Sequence, residues 1–185
     1  MKNGENDVVE LVRRAQDGDE QAMSELITIH KVLVHTIIFR MVNNRELSKD
    51  LTQETFIRFF LKIDRVKYPE KTRAWICRIA RNIVYDHFRK EKRKKTVPLD
   101  EIPESAGESN IKKRHKKMII QDALQRLKER DRMLLTMVYY EGFTLAEIAD
   151  TMHMSTNNAK VCLYRARLKL RSELEVHKDE LLSAR

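Results

Sequence analysis

Arg78, Arg81, Asn82, Tyr85, Arg89 and Lys92 recur at three- and four-residue spacing within the stretch 71–95, KTRAWICRIARNIVYDHFRKEKRKK. At 3.6 residues per turn they share one side of a helix, while Ile76, Ile79, Ala80, Ile83 and His87 share the other. The first side lines up guanidinium groups, an amide and a phenol, which is chemistry for gripping a polyanion and touching nucleobases. The stretch holds ten Lys or Arg against only Asp86 and Glu91, so it carries nearly the whole net charge of +9. A merely solvated helix face mixes its signs to form i,i+4 pairs. This one does not, and the spacing predicts a nucleic-acid partner.

A second set lies near the C-terminus. Thr144-Leu-Ala-Glu147 has the form of a capping box, in which the Thr hydroxyl and the Glu carboxylate satisfy reciprocal backbone amides. It opens the short helix TLAEIADTM. After His153-Met154, Ser155 can cap STNNAKVCLYRARLKLR, which carries five bases and no acid. Two helices joined by so tight a turn are a helix-turn-helix. Ala159, Cys162, Leu163, Ala166 and Leu170 form the inward stripe of the second helix. Asn157, Lys160, Val161, Tyr164 and Arg171 point outward, with Arg165 and Arg167 on the flanks.

Other chemistry has little to stand on. No nucleophile-and-base pair or carboxylate cluster stands out, and the four glycines at 4, 18, 107 and 142 leave no phosphate-binding GxxxxGK loop. No catalytic residue, metal site or cofactor is expected. His30 and His35 lie five apart, not the three or four that put two ligands on one helical face. Cys77 and Cys162 have no CxxC companion, so neither a zinc site nor a disulfide framework is indicated.

The elements that must position these residues follow from composition. Few glycines and prolines, with abundant Leu, Lys, Arg, Glu and Ile, predict an all-α chain of two small helical domains. Asp7 to Gln16 forms a first helix, Gly18 and Asp19 break and restart the chain, and Glu20 to Val42 forms a long second helix. Ser48 is expected to cap a third helix, SKDLTQETFIRFFLKID. Its residues Leu51, Thr55, Ile57 to Phe59 and Leu61 turn inward, and Lys49, Asp50, Gln53, Glu54 and Arg58 form an outward mixed-charge patch. A loop from Asp64 to Thr72 leads into the basic helix, with Trp75 assigned to the core. TVPLDEIPESAGESN, residues 96–110, has two prolines, a glycine, four acids and no base, and predicts a flexible linker. The expected units are 1–95, a linker over 96–112, and 113–185. No uninterrupted apolar run approaches the ~20 residues that span a bilayer, and MKNGENDVVE lacks the regions of a signal peptide, so a cytoplasmic protein is expected.

Taken together, the chain resembles the extracytoplasmic-function (ECF) sigma factors of bacterial RNA polymerase. The resemblance rests on Asp50-Leu-Thr-Gln-Glu-Thr-Phe56, on Arg73-Ala-Trp-Ile-Cys-Arg-Ile-Ala-Arg-Asn82 with Asp86-His-Phe-Arg89, and on Leu124 to Leu170 with Glu147-Ile-Ala149 and Arg165-Ala-Arg167. It implies sigma region 2 and region 4 joined by the acidic linker. It implies that Asp50, Gln53 and Glu54 bind the β′ clamp helices of core polymerase. Lys67, Tyr68, Lys71, Arg73, Arg78, Arg81, Asn82, Tyr85 and Arg89 would bind and open the −10 element. Region 4 would sit on the β flap and bind the −35 element through Thr144, Ser155, Asn157, Asn158, Lys160, Val161, Tyr164, Arg165 and Arg167. It also implies an anti-sigma partner, often membrane-bound, that masks both domains. Four positions depart from the family pattern: Lys128 where Pro is common, His153 where the turn usually has Gly, and Val161 and Cys162 where many members have Ser-Arg.

The residues also allow a helix-turn-helix regulator that does not replace a polymerase subunit, which predicts a dimer and a palindromic site. An enzyme acting on DNA, such as a recombinase, is a further alternative. Under the sigma reading, the loop Asp64 to Thr72 and the outward side of the basic helix form a pocket for an extruded base, with Asn82 bonding its edge.

Overall fold

The structure, a computed structural model, describes residues 2–94, 111–178 and 181. The expected linker falls outside these residues except for its last two positions, which begin a helix. Every described element is helical: α1 (Lys2–Gln16), α2 (Glu20–Val42), α3 (Arg45–Phe60), α4 (Thr72–Lys94), α5 (Ile111–Arg126), α6 (Glu129–Tyr139), α7 (Leu145–Met152) and α8 (Thr156–Glu175), with two short 3-10 turns between α3 and α4.

Local chemistry sets most of the boundaries. Gly18 takes φ 88°, a left-handed conformation that ends α1 without a Cβ clash. Asp19 then caps α2 by accepting from the amides of Gln21 and Ala22 at 2.9 and 3.1 Å. Asn43, at φ 51°, closes α2. The cap of α3 is Asn44, whose Oδ1 accepts from Leu47 N at 2.9 Å, and not Ser48. Ser48 lies within α3, buried, with its hydroxyl donating back to Arg45 O. Asn44 offers a capping oxygen one turn earlier, and helix there lets Ser48 and Leu51 face the core.

Leu26, Ile37, Ile38 and Met41 of α2 pack with Phe59 of α3 and Ile76, Ala80 and Val84 of α4. Each of the larger of these side chains contributes roughly 1.5–3 kcal/mol on burial. Ile57, on the outer side of α3, and Leu61, which ends it, were expected inside and are instead exposed. Among the described residues α2 is the one helix long and apolar enough to cross a membrane, although charged residues break its apolar run. Its apolar side is spent on this core, and Glu20, Glu25, Lys31 and Arg40 interrupt it.

Leu124, Met133, Leu134, Met137, Ile148, Ala159, Leu163 and Ala166 form the core under α5 to α8, and the two cores merge into one cluster. The two units also pack on each other. α6 packs on α2 and α7 packs on α4. The joint is polar at its rim. Arg132, buried on α6, donates to the carbonyls of Leu124, Gln125 and Leu127 and, across the joint, to Met41 O. Gln125 donates to Arg40 O at 2.9 Å, and Arg40 donates to Gln121 Oε1 at 2.6 Å while lying over the Tyr140 ring.

Candidate nucleic-acid and polymerase interfaces

The α3 patch comes first in the chain. Asp50 and Gln53 are exposed, and Glu54 is half-buried in an i,i+4 pair with Arg58 at 2.5 Å. The buried Leu51, Thr55 and Phe59 seat this surface rigidly, and Thr55 donates to Leu51 O from inside the helix. The patch offers fixed carboxylates and an amide, which suit a basic protein surface.

Between α3 and α4 the chain forms a cavity of about 340 Å³. Arg65, Lys67, Tyr68, Lys71, Trp75, Arg78 and, from α7, Asp150 line it. Gln16 holds the loop in place by donating to Ile63 O and Val66 O, both at 3.0 Å. Tyr68 is 63% exposed, so its ring is free to stack on an incoming group. Trp75 packs on Phe59, with ring centroids 5.2 Å apart, yet it also walls the cavity. It thus serves both the core and the cavity, and in the sequence only its position one turn after the loop signals the second role. Asn82 does not line the cavity, contrary to the expected pocket. It lies one turn beyond Arg78 on α4, where its Oδ1 accepts from the adjacent Arg81.

The outward side of α4 is not the open surface that its periodicity predicts. Arg73 pairs with Glu147 at 2.8 Å, donates to Glu141 O and lies over the Phe143 ring. Arg78 donates to Asp150 O and Arg81 to Thr151 O, both at 2.6 Å. Lys71 pairs with Asp150 at 3.0 Å. Tyr85 is half-buried with an unpartnered hydroxyl, and burial pushes that phenol up to about 12. Arg89 pairs with Asp86 on its own helix, and Lys92 reaches Glu129 at 2.6 Å. The C-terminal end of α7 supplies carbonyls that carry the negative end of a helix dipole, so arginines are held there.

The helix-turn-helix forms as its caps predict. Thr144 Oγ1 accepts from Glu147 N, and Glu147 Oε2 accepts from Thr144 N at 2.8 Å, completing the box. His153 takes φ 53°, the left-handed turn conformation usually given to glycine. Ser155 caps α8 by accepting from Asn158 N. Thr144, Ser155 and Asn158 therefore shape the motif, while Asn157, Lys160, Val161, Tyr164 and Arg165 stand exposed on α8. Arg167 turns toward the Tyr139 ring on the flank. Lys160, Val161 and Tyr164 form an unobstructed stripe that fits a major groove.

Burial drives the Cys77 thiol upward, so it stays protonated inside α4. Cys162 donates weakly to Asn158 Oδ1 at 3.3 Å. His30 is buried, and burial with the charge of Arg73 pushes its imidazole down to about 4. Among the described residues no group of His, Cys, Asp or Glu could hold a metal ion.

Known proteins share this pattern. The model for sigma-70 region 2 matches residues 26–94, and the model for sigma-70, region 4 matches residues 117–170. The chain is 30% identical over 165 residues to the ECF RNA polymerase sigma factor BldN of Streptomyces coelicolor, covering 86% of this chain and 62% of that protein. It is 25% identical over 178 residues to the ECF sigma factor SigW of Bacillus subtilis, covering 88% and 94%. Its fold is similar to that of CnrH solved with the cytosolic domain of CnrY, with a TM-score of 0.71, 21% identity, and 92% and 98% of the two chains covered. With region 2 carrying the basic helix and region 4 the helix-turn-helix, the chain belongs to the sigma-70 family, in its extracytoplasmic-function group.

Proposed function

We propose that this chain directs core RNA polymerase to bipartite promoters, reading the −35 element with α8 and opening the −10 element beside α4. The observation that carries the reading is the presence of two unlike DNA-facing devices on one chain. One is a recognition helix with an exposed Lys160-Val161-Tyr164 stripe, suited to a duplex groove. The other is a cavity with the Tyr68 and Trp75 rings in its wall and Arg65, Lys67 and Lys71 around it, suited to an unstacked base. Unstacking a base costs a few kcal/mol, and stacking on an aromatic ring returns ~1–3 kcal/mol per base. A ring and a cationic rim together can therefore favour the separated strand. A dimeric repressor has no use for the second device.

In this reading Asp50, Gln53 and Glu54 dock on the polymerase clamp, region 4 docks on its flap, and the protein works where the polymerase is, in the cytoplasm. An anti-sigma protein, membrane-bound or not, would hold it inactive. The docking assignment is tested with Asp50→Lys and Glu54→Lys combined. Affinity for core polymerase should fall at least roughly tenfold, as for desolvated interfacial charges, while the thermal melt of the free chain stays put. Unchanged binding to core would place the docking face elsewhere.

A further inference from the structure

We infer that Gln16, at the end of α1, is a positioning residue that sets the base preference of the Tyr68–Trp75 cavity. The inference rests on the −10 reading of that cavity given above. The sigma-70 region 2 match begins at residue 26, so it leaves α1 without a role. Leu11, Val12 and Ala15 bury one side of α1 in the core. The helix also packs against the two 3-10 turns, Ile63–Arg65 and Pro69–Lys71, that bracket Val66 to Tyr68. The Gln16 amide is aimed at the first of these turns. Its Nε2 donates to Ile63 O and to Val66 O, both at 3.0 Å, so both amide protons are used and the two ends of one short segment are tied to α1. Ile63 O also accepts from Val66 N at 3.0 Å, which closes the turn that the amide grips.

Tyr68 follows two residues after Val66. Its side chain is exposed, so the backbone on either side must hold it in place. Beyond it, Lys71 N donates to Tyr68 O at 2.9 Å and the Thr72 hydroxyl donates to Pro69 O at 2.6 Å. Before it, the side-chain anchor is Gln16. The facing Trp75 ring is fixed by Phe59 in the core. The gap between the two rings is thus set on one side by the core and on the other by the end of α1. Gln16 is itself held by the corner that follows it. Asp19 Oδ2 accepts from Arg14 Nε at 2.8 Å, while its Oδ1 accepts from the amides of Gln21 and Ala22, which joins α1 to α2 across Gly18. Stacking on a ring tolerates any base. Preference requires that the ring and the polar groups around it keep a fixed spacing. Losing the Gln16 donors should therefore flatten base preference more than it weakens binding.

The test uses the full chain bound to core polymerase, with a library of short, fully randomised single strands as the probe. The quantity read is the enrichment of the best base over the worst at the most selective position. The fraction of folded protein does not change that ratio, so a merely destabilised variant leaves it where it was. Gln16→Met keeps the side-chain length and the helix propensity and removes both donors. It should lower the ratio roughly tenfold, the scale of one or two lost hydrogen bonds, while affinity for the whole pool and the −35 preference stay level. Gln16→Lys supplies N–H donors again and should recover most of the ratio, although its charge strengthens binding to every sequence alike. A ratio unchanged in Gln16→Met, or a loss that Gln16→Lys does not recover, overturns the inference. Tyr68→Ala separates the inference from the reading beneath it. If Tyr68→Ala flattens the ratio and Gln16→Met does not, the cavity reads a base without help from α1, and the −10 reading survives alone. If the wild type shows no preference, or neither variant moves it, the −10 reading of this cavity fails and the inference falls with it.

Discussion

Glu147 and Arg73 join the DNA-reading motif of one unit to the basic helix of the other. Glu147 Oε1 accepts from Arg73 at 2.8 Å, and its Oε2 closes the capping box with Thr144. Burial alone would raise the Glu147 carboxyl. The hydrogen bonds from Thr144 and the charge of Arg73 outweigh it and hold the group below its ordinary range. One side chain thus starts α7 and pins it on α4.

The two tasks of Glu147 can be separated by substitution. Glu147→Gln keeps a cap acceptor but loses the ion pair, and an exposed-rim pair is worth only ~0.2–1 kcal/mol. Thr144→Ala removes the cap acceptor and should cost about 1 kcal/mol. Urea unfolding of both variants should rank Thr144→Ala as the more destabilising. The reverse order would mean that the ion pair, not the cap, holds α7.

His30 makes stability depend on pH in a defined direction. Its folded pKa, about 4, lies below the ordinary 6.5, because the buried neutral ring resists protonation. Stability is therefore complete above pH 6.5 and is lost as pH falls toward 4, by at most about 3 kcal/mol. His153, lowered by burial and by nearby Arg78 and Arg81, contributes in the same direction. His30→Gln should flatten most of the slope between pH 6.5 and 4.5 in chemical denaturation. A slope unchanged in that variant would assign the dependence to another group.

Lys128 occupies a backbone conformation made for proline. It precedes α6 at φ −58° and ψ 146°, and its carbonyl accepts from Arg132 N at 3.0 Å. Lys128→Pro keeps that bond and restricts the unfolded chain, so stability should rise by ~0.4–1 kcal/mol. The check is the urea midpoint at constant m-value, and a fall in the midpoint would show that the Lys128 amide or side chain matters.

Val161 carries a prediction about sequence preference. It is exposed in the middle of the α8 stripe between Lys160 and Tyr164, where an apolar side chain suits a thymine methyl. Val161→Ser should shift the selected −35 motif at one or two positions, a change worth ~1–3 kcal/mol per base contact. Lys160→Ala should either relax the motif locally or weaken all sequences with a shallower salt dependence, according to whether it meets a base or a phosphate. Selection from a randomised −35 library returning one motif for wild type and Val161→Ser would contradict the placement.

Much of this was legible in the sequence because it is local. Caps such as Asp19, Thr144 with Glu147, and Ser155 announce themselves by residue type and spacing, and the alternation of Ile76, Ala80 and Ile83 with Arg78, Arg81 and Tyr85 correctly oriented α4. Ser48 misled because a better acceptor, Asn44, stands one turn earlier. What could not be read is what covers the outward side of α4. Its partners include backbone carbonyls of Asp150 and Thr151, and every residue type has a carbonyl. The same holds for Met41 O and Arg132. Charge periodicity shows that a face seeks anions and cannot show whether DNA or a helix end supplies them.

The proposed activity is to give core polymerase the ability to find and open a promoter. Its most direct test is run-off transcription with purified core on a fragment selected by the holoenzyme, read together with permanganate reactivity of thymines near −10. With the wild-type chain, product and thymine reactivity should appear together, and both should drop in Tyr68→Ala combined with Lys71→Ala while core binding holds. Core that yields no specific product with the wild-type chain added, or opening that is undiminished in the double variant, would contradict the account.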